Sequence, residues 1–405
     1  MTAVLIALVV LNLCVFIVAV RRSREPFGLP VWIAVYFLIY FGIGNIIFAG
    51  DGSIHPQTMI VLLASFLVLQ FAVALSLRPI AGMARPTIIY EPAHVRSTWL
   101  VFVAVGIVLA LGFFARAQMI PLLAEDPETA RKIAIAGNGF LLQGLVALLP
   151  AALLLGFDYR RDLPLYWPVF LFVILGMVGL AFRGPVVFFL IQFAFMYYVT
   201  GRRKKFYVAL SLSVIPIAFL VVFITATRQS HSLLEFASLL WTFKVNILNY
   251  QKIAAVLDWN ASFLIGQSYL MDLSILVPGD FLKGFGWWVT DFINETHGGI
   301  STPTIFGEAL LNFGRLGSYL YLFIIGLILG RFYSRFRWSP HYRHRILIPL
   351  CFIPLTRALT GGFSSVFVML VLPALFFYLV WDVITRSNLY TRMQQIRGEN
   401  LLSPV

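Results

Sequence analysis

Charge is scarce in this chain. Only 12% of its 405 residues are Asp, Glu, Lys or Arg, about half the share found in soluble domains, and that excludes an ordinary water-soluble globule. Cysteine is scarcer still. Cys14 and Cys351 both fall in apolar runs and supply neither a disulfide framework nor a thiolate metal cluster. The six histidines show no ligand spacing, so no metal is expected; His55 and His94 are isolated, and His341 and His344 stand among arginines. No glycine-rich phosphate loop of the P-loop or dinucleotide-binding kind occurs, which argues against ATP-driven transport and against a bound cofactor. No DxD-type carboxylate pair occurs on the face expected to be cytoplasmic, which disfavours metal-dependent chemistry on a nucleotide sugar. The first apolar run has neither a basic start nor a small-residue cleavage site. It reads as a retained first helix and not as a signal peptide.

What is present is hydrocarbon. The chain is 60% hydrophobic with a mean hydropathy of +0.90, and several apolar runs reach the ~20 residues that span a bilayer. Eleven transmembrane helices are expected, at about 2–20, 30–49, 58–77, 97–115, 139–157, 165–182, 185–200, 206–226, 306–330, 346–367 and 368–385. The expected fold is therefore an all-α polytopic membrane protein with one large external loop. It divides into residues 1–226 (eight spans), 227–305 (the loop, with surface helices) and 306–405 (three spans and a tail). A weak additional segment within 262–277 reads as a re-entrant piece.

The net charge of +13 is placed, not spread. Basic clusters follow alternate helices, and 20 of the 30 Lys and Arg lie on one side against six acids, Glu25, Glu91, Asp158, Asp162, Asp382 and Glu399. By the positive-inside rule that side is cytoplasmic, with the N-terminus outside and the C-terminus inside. The charge is a topology signal and gives no footprint for nucleic acid.

Ten basic residues break this rule: Arg116, Arg131, Lys132, Arg183, Arg228, Lys244, Lys252, Lys283, Arg315 and Arg357. Arg183 sits in the turn "FRGP" between the sixth and seventh spans. Arg228 ends the eighth in "TATRQS", Arg315 lies about three turns into the ninth, and Arg357 about eleven residues into the tenth, near the bilayer midplane. A guanidinium in hydrocarbon costs at least a few kcal/mol. Either each Arg snorkels to the headgroups or pairs with one acid, or several converge on an anionic ligand. The planar fork of Arg donors suits phosphate, and a phosphate-bearing lipid presents its headgroup near that depth.

A second pattern adds chemistry. In "TPTIFGEALLNFGRLG", Glu308, Asn312 and Arg315 are spaced i, i+4, i+7 and share one helix face at ~100° per residue, while the rest of that helix is apolar and glycine-rich. The stripe reads as the lining of a cavity or as a helix–helix hydrogen-bonding seam. In the long loop, "SLLEFASLLWTFKVNILNYQKIAAVLDW" has the spacing of a helix along the membrane surface. Trp287 and Trp288 read as interfacial anchors or as a platform for sugar rings. The shorter external segment "LLAEDPETARK" reads as a solvated surface or a gate.

These features resemble the O-antigen or oligosaccharide repeat-unit polymerase family. The resemblance rests on the Arg-Gly turn in "AFRGPVVFFLIQFAF", the Arg of "ATRQ", the long external loop ending in "STPTIFGEALLNFGRLG" and the intramembrane Arg of "PLTRALTGG", and it covers mainly residues 170–380. It implies a bacterial inner-membrane glycosyltransferase similar to the GT-C class. Such an enzyme moves a growing glycan from undecaprenyl diphosphate to the non-reducing end of a new lipid-linked repeat unit on the periplasmic face. It also implies a chain-length-determining co-polymerase as a candidate partner. Under that resemblance Arg183, Arg228 and Arg357 are the candidates to bind the diphosphates, with Arg315 joining them or orienting Glu308. Glu308 is the first candidate general base, with Asp272 and His297 behind it. An O-antigen ligase, carrying His where this chain has Glu308, and a flippase for the same lipid-linked sugar are the competing expectations.

Overall fold

The computed structural model describes residues 2–23, 25, 27–43, 53–77, 95–229, 236–259, 264–276, 284–293 and 302–384, apart from some side chains within 214–244 and at a few other positions. Among these residues the structure is helical throughout, without a β-strand. All eleven expected segments are helical where described. They are α1 (Thr2–Ser23), α2 (Leu29–Phe37, running into a π-helical turn Leu38–Ile43), α3 (Pro56–Ser76), α4 (Val95–Ala117), α6 (Gly139–Leu155), α7 (Tyr166–Gly179), α8 (Arg183–Val199), α9 (Arg203–Gln229), α13 (Thr304–Arg337), α14 (342–361) and α15 (Phe363–Ile384). Between them lie α5 (Pro127–Ile135), α10 (Phe236–Trp259), α11 (Gln267–Ser274) and α12 (Phe285–Phe292).

Not every segment is a long, straight span. Five helical stretches are long and apolar enough to cross a membrane: Ala3–Ser23, Pro56–Ser76, Arg96–Leu123, Thr304–Arg337 and Phe363–Ile384. Residues Thr129–Ile135 and Gly139–Leu155, bent by 99°, make a sixth if taken together. At 1.5 Å per residue the 14 residues of α7 reach only ~21 Å, short of a ~30 Å hydrocarbon core, and α14 is interrupted by a π-helical turn at Ile348–Phe352. These helices nonetheless make a multi-pass membrane protein.

The core forms where α3 and α13 lie side by side. Gly326 and Gly330 of α13 face Leu69, Ala72, Val73 and Ser76 of α3 so closely that a Cβ at either would come within 2.7 Å of backbone. Close approach of backbones is how helices associate when lipid gives no hydrophobic push. At the start of α13, Phe306 meets Phe37 and Phe41 edge-on, at 6.0 and 5.6 Å, and Phe37 stacks on Phe66 at 3.8 Å. This aromatic knot holds the first turns of α13 in place.

The two ends of the bundle differ in chemistry. At one end Glu25 receives Arg337 at 2.7 Å and the Tyr333 hydroxyl at 2.7 Å, Asp158 receives Arg202 at 2.8 Å, and Asp382 receives Arg343 at 2.9 Å. Every charged residue among these belongs to the set that the charge pattern assigns to a single side. At the other end the Gln251 carboxamide oxygen accepts from His55 N–H at 2.8 Å, and the Asn249 amide donates to the Thr302 carbonyl at 3.2 Å. The described helices between α9 and α13 are thus folded onto the bundle. α10 packs along α13 and the π-helical turn of α2, and Leu264 and Ile265 donate backbone N–H to the carbonyls of Leu311 and Asn312.

Candidate functional site

Glu308 lies one turn into α13 and is fully buried. Both its carboxylate oxygens accept the N–H of Ser364 at 3.1 Å, an amide at the N-terminus of α15 that has no partner within its own helix. The positive end of that helix favours a carboxylate. Gly362, which precedes α15, has φ +82° and ψ 149°, and a Cβ there would lie 2.9 Å from Glu308 Oε2. Only glycine admits both that backbone and that neighbour. Ser268 of α11 donates its hydroxyl toward Glu308 Oε1 at 3.4 Å, and the Asn312 amide donates to the Ser268 oxygen at 3.0 Å and to the Glu308 carbonyl at 2.9 Å. Glu308 and Asn312 therefore share one face, as their spacing predicts.

Arg315 leaves that face. At Gly314 the backbone departs from helical geometry (φ 68°, ψ −174°), so the phase of 100° per residue is lost one position before it. Arg315 is exposed and lies within electrostatic reach of Tyr250 on α10. The expected three-residue stripe ends at Asn312, and no ion pair between Arg315 and Glu308 occurs among the described contacts.

Asp272 of α11 arrives at the same helix end. It is 1% exposed. Its Oδ2 accepts the hydroxyls of Ser364 at 2.8 Å and Ser365 at 2.7 Å, and its Oδ1 accepts the N–H of Phe285, the first residue of α12, at 3.0 Å. Burial pushes its carboxyl above the ordinary 3.8, and these three donors pull it part of the way back. Nothing in the spacing of the sequence marks Ser268, Ser364 or Ser365. Serines are common, and only the packing of α11 against α15 selects these.

Arg357 lies one turn before the break at Gly361–Gly362. The expected boundary between the last two spans, at 367, is six residues late, so Arg357 stands near the end of α14 and not at its middle; from Tyr342 it is ~22 Å along the helix at 1.5 Å per residue. Its guanidinium lies against Gly184, where a Cβ would come within 3.3 Å of Cζ. The "FRGP" turn and the intramembrane Arg, far apart in sequence, thus meet directly. The glycine pair joins this group to the acids. Arg357 Cγ lies 4.0 Å from the Cβ position of Gly361, next to the Gly362 that Glu308 touches. Tyr36 of α2 completes the surroundings: its hydroxyl pairs with that of Thr360 at 3.0 Å, and it lies within electrostatic reach of Arg357.

A further cation belongs here. Arg131 of α5 places its guanidinium 5.6 Å from the centroid of Phe182, and Lys132 places its ammonium 5.5 Å from that of Trp287. Both are half-buried, while Leu123, Glu125, Asp126 and Thr129 of the same segment are exposed, so the segment keeps a solvated face and turns its two cations toward aromatic rings. The side chains of Arg183 and Arg228, and the whole of His297, lie outside the described residues. Two of the five described non-glycine residues at positive φ lie beside the site. Ala181 (φ 55°) precedes Arg183, and Thr304 (φ 63°) opens the helix of Glu308. Each such residue costs about 1–3 kcal/mol, and such strain clusters at functional positions.

A helical bundle of membrane-spanning length with two enclosed carboxylates and an arginine at one end is a multi-pass membrane protein built around a polar site. Residues 4–339 match the family model described as "Putative O-antigen polymerase". The chain belongs to this family. The match reaches almost to the N-terminus, where hydropathy alone suggested kinship, and it stops before Arg357 and Ser364. No curated protein and no solved structure matches the chain.

Proposed function

We propose that this protein is a polysaccharide polymerase of the bacterial inner membrane, similar in architecture to the GT-C class, with eleven passes, a periplasmic N-terminus and a cytoplasmic C-terminus. It transfers a growing glycan from undecaprenyl diphosphate to the non-reducing end of a lipid-linked repeat unit on the periplasmic face. The observation that carries this reading is the meeting of Arg357 with the Arg183–Gly184 turn, beside Glu308, in a member of this family.

Diphosphate is already a good leaving group, so catalysis needs its developing charge stabilised and the acceptor hydroxyl deprotonated. Arg357, Arg183 and Arg228 hold the diphosphates, and Arg315 binds at the rim. Glu308 takes the proton of the acceptor hydroxyl. The hydroxyl oxygen then bonds to the anomeric carbon, and the bond from that carbon to the phosphate oxygen breaks, releasing the lipid diphosphate. Glu308 suits this role because its partners are a serine hydroxyl and a backbone amide, neither of which cancels the carboxylate's charge as an ion pair would. Asp272 and His297 stand behind it as alternative bases. The reaction is metal-independent in this reading, with arginines supplying the positive charge.

The test is a glycan ladder from cells lacking the gene, complemented with wild type, Arg357→Ala or Glu308→Gln. Single-repeat glycans without a ladder, rescued by wild type alone, are expected. Polymer still built on its carrier but missing from the surface would indicate a ligase, and an unchanged ladder would remove the reading.

A further inference from the structure

The segment Leu29–Ile43 is apolar except for one stripe. Trp32, Tyr36 and Tyr40 recur at intervals of four and share a face. All three are half-buried. Trp32 meets Phe195 of α8 edge-on at 5.2 Å, and Tyr36 approaches Phe188 of the same helix at 5.9 Å. The stripe therefore climbs α8 toward its first turn, where Gly184 lies against Arg357. At its upper end Tyr36 and Tyr40 stack at 4.6 Å with 30° between their planes. Tyr40 falls within the π-helical turn Leu38–Ile43, a departure from α-helix that is frequent at functional sites.

Two stacked phenols beside a guanidinium are a particular combination. A phenol in an apolar span needs a partner for its hydroxyl, and Tyr36 finds Thr360, three residues beyond Arg357. A sugar attached to a diphosphate needs an anion site for the phosphates and, within one ring's length, a flat surface for the apolar face of the pyranose. Arg357 supplies the first, and the Tyr36–Tyr40 pair, tied to the helix of Arg357 by the Tyr36–Thr360 hydrogen bond, supplies the second.

We propose that Tyr36 and Tyr40 are the stacking surface for the sugar ring next to the diphosphate held by Arg357. The proposal rests on the reading that Arg357 binds a lipid diphosphate. The pair selects for a glycosylated carrier over the spent one, since a carrier stripped of sugar gains nothing from the tyrosines. In the acceptor lipid this ring lies at the reducing end, away from the hydroxyl that reacts, so the contact is made in the ground state and its loss raises KM more than it lowers kcat.

The experiment uses the full-length protein in proteoliposomes, with polyprenyl-diphosphate oligosaccharide as substrate and sugar-free polyprenyl diphosphate as competing inhibitor. Tyr40→Ala is expected to raise KM about fivefold to tenfold, the scale of one aromatic contact, and to leave the inhibition constant of the sugar-free lipid unchanged. Tyr40→Phe, which keeps the ring, should match wild type. Arg357→Ala should weaken both lipids together. Should Tyr40→Ala fail to accumulate in the membrane, Tyr40→Leu keeps the apolar volume and is expected to behave in the same way. Equal weakening of both lipids by the Tyr40 variants, or no change in KM, would overturn the stacking surface while leaving the polymerase reading intact. Failure of wild type to polymerise, or an Arg357→Ala variant that binds the sugar-free lipid normally, would remove the underlying reading and this proposal with it.

Discussion

Glu308 and Asp272 are joined through a single residue. Ser364 gives its backbone N–H to Glu308 at 3.1 Å and its hydroxyl to Asp272 at 2.8 Å. Two carboxylates brought by α13 and by α11 are thereby fixed to one helix end, with Ser268 and Ser365 filling the remaining positions. A segment that length and hydropathy place outside the membrane supplies a side chain to a buried polar cluster.

Glu308 is expected to separate chemistry from architecture. Glu308→Gln keeps the shape and an oxygen for the Ser364 amide but cannot accept a proton from a sugar hydroxyl. As general base, its loss lowers kcat by about 10²- to 10⁴-fold, with the protein present at normal levels in the membrane. If Glu308 only caps α15, kcat per folded molecule stays and the melting temperature falls. Activity normalised to the purified protein decides between them.

Gly184→Ala should strike the arginine without touching it. The new methyl lies 3.3 Å from Arg357 Cζ and 3.4 Å from Nη2, so the guanidinium must shift by a few tenths of an ångström. Small misplacements of a positioning group carry large rate penalties, and a drop of about tenfold in kcat/KM is expected. Gly112→Ala, where the nearest atom is Leu141 Cδ2 at 3.7 Å, serves as the control and should be silent.

Stability should depend on pH through Asp272. Burial raises its carboxyl above the ordinary 3.8, so the folded protein keeps a proton that the unfolded chain has released. The folded state binds more protons in that window, and stability therefore falls as pH rises through it. Asp272→Asn cannot titrate. Melting temperatures measured from about pH 4 to pH 7 should show wild type losing ground to the Asn variant as pH increases.

The opposite end of the bundle offers a test with no catalytic content. Glu25 is 1% and Arg337 5% exposed, and Tyr333 binds the second Glu25 oxygen. Arg337→Ala leaves a buried carboxylate unpaired and should cost about 3–5 kcal/mol, whereas Glu25→Gln with Arg337→Met removes both charges and should cost less. Denaturation of the two variants in detergent measures this, and polymerisation per folded molecule should not change.

Much of the architecture is carried by local sequence. Long apolar runs cannot stay in water and must form helices in lipid because their backbone groups find no other partners, so the helical segments and the alternation of basic ends are legible residue by residue. Glu308 and Asn312 share a face because four residues make about one turn. The same arithmetic fails for Arg315, since a single non-helical residue at Gly314 resets the phase, and for the depth of Arg357, since the chain turns at Gly362 and not at 367. Contacts between distant segments lie beyond any local rule. That Arg357 rests on Gly184, that Arg131 covers Phe182, and that Asp272 reaches Ser364 all follow from how helices pack. Packing depends on the shapes of whole faces, and no periodicity within one segment encodes the face of another. The sequence by itself determined an all-helical membrane protein with charge gathered at its ends; the tertiary structure decided which of those charges meet.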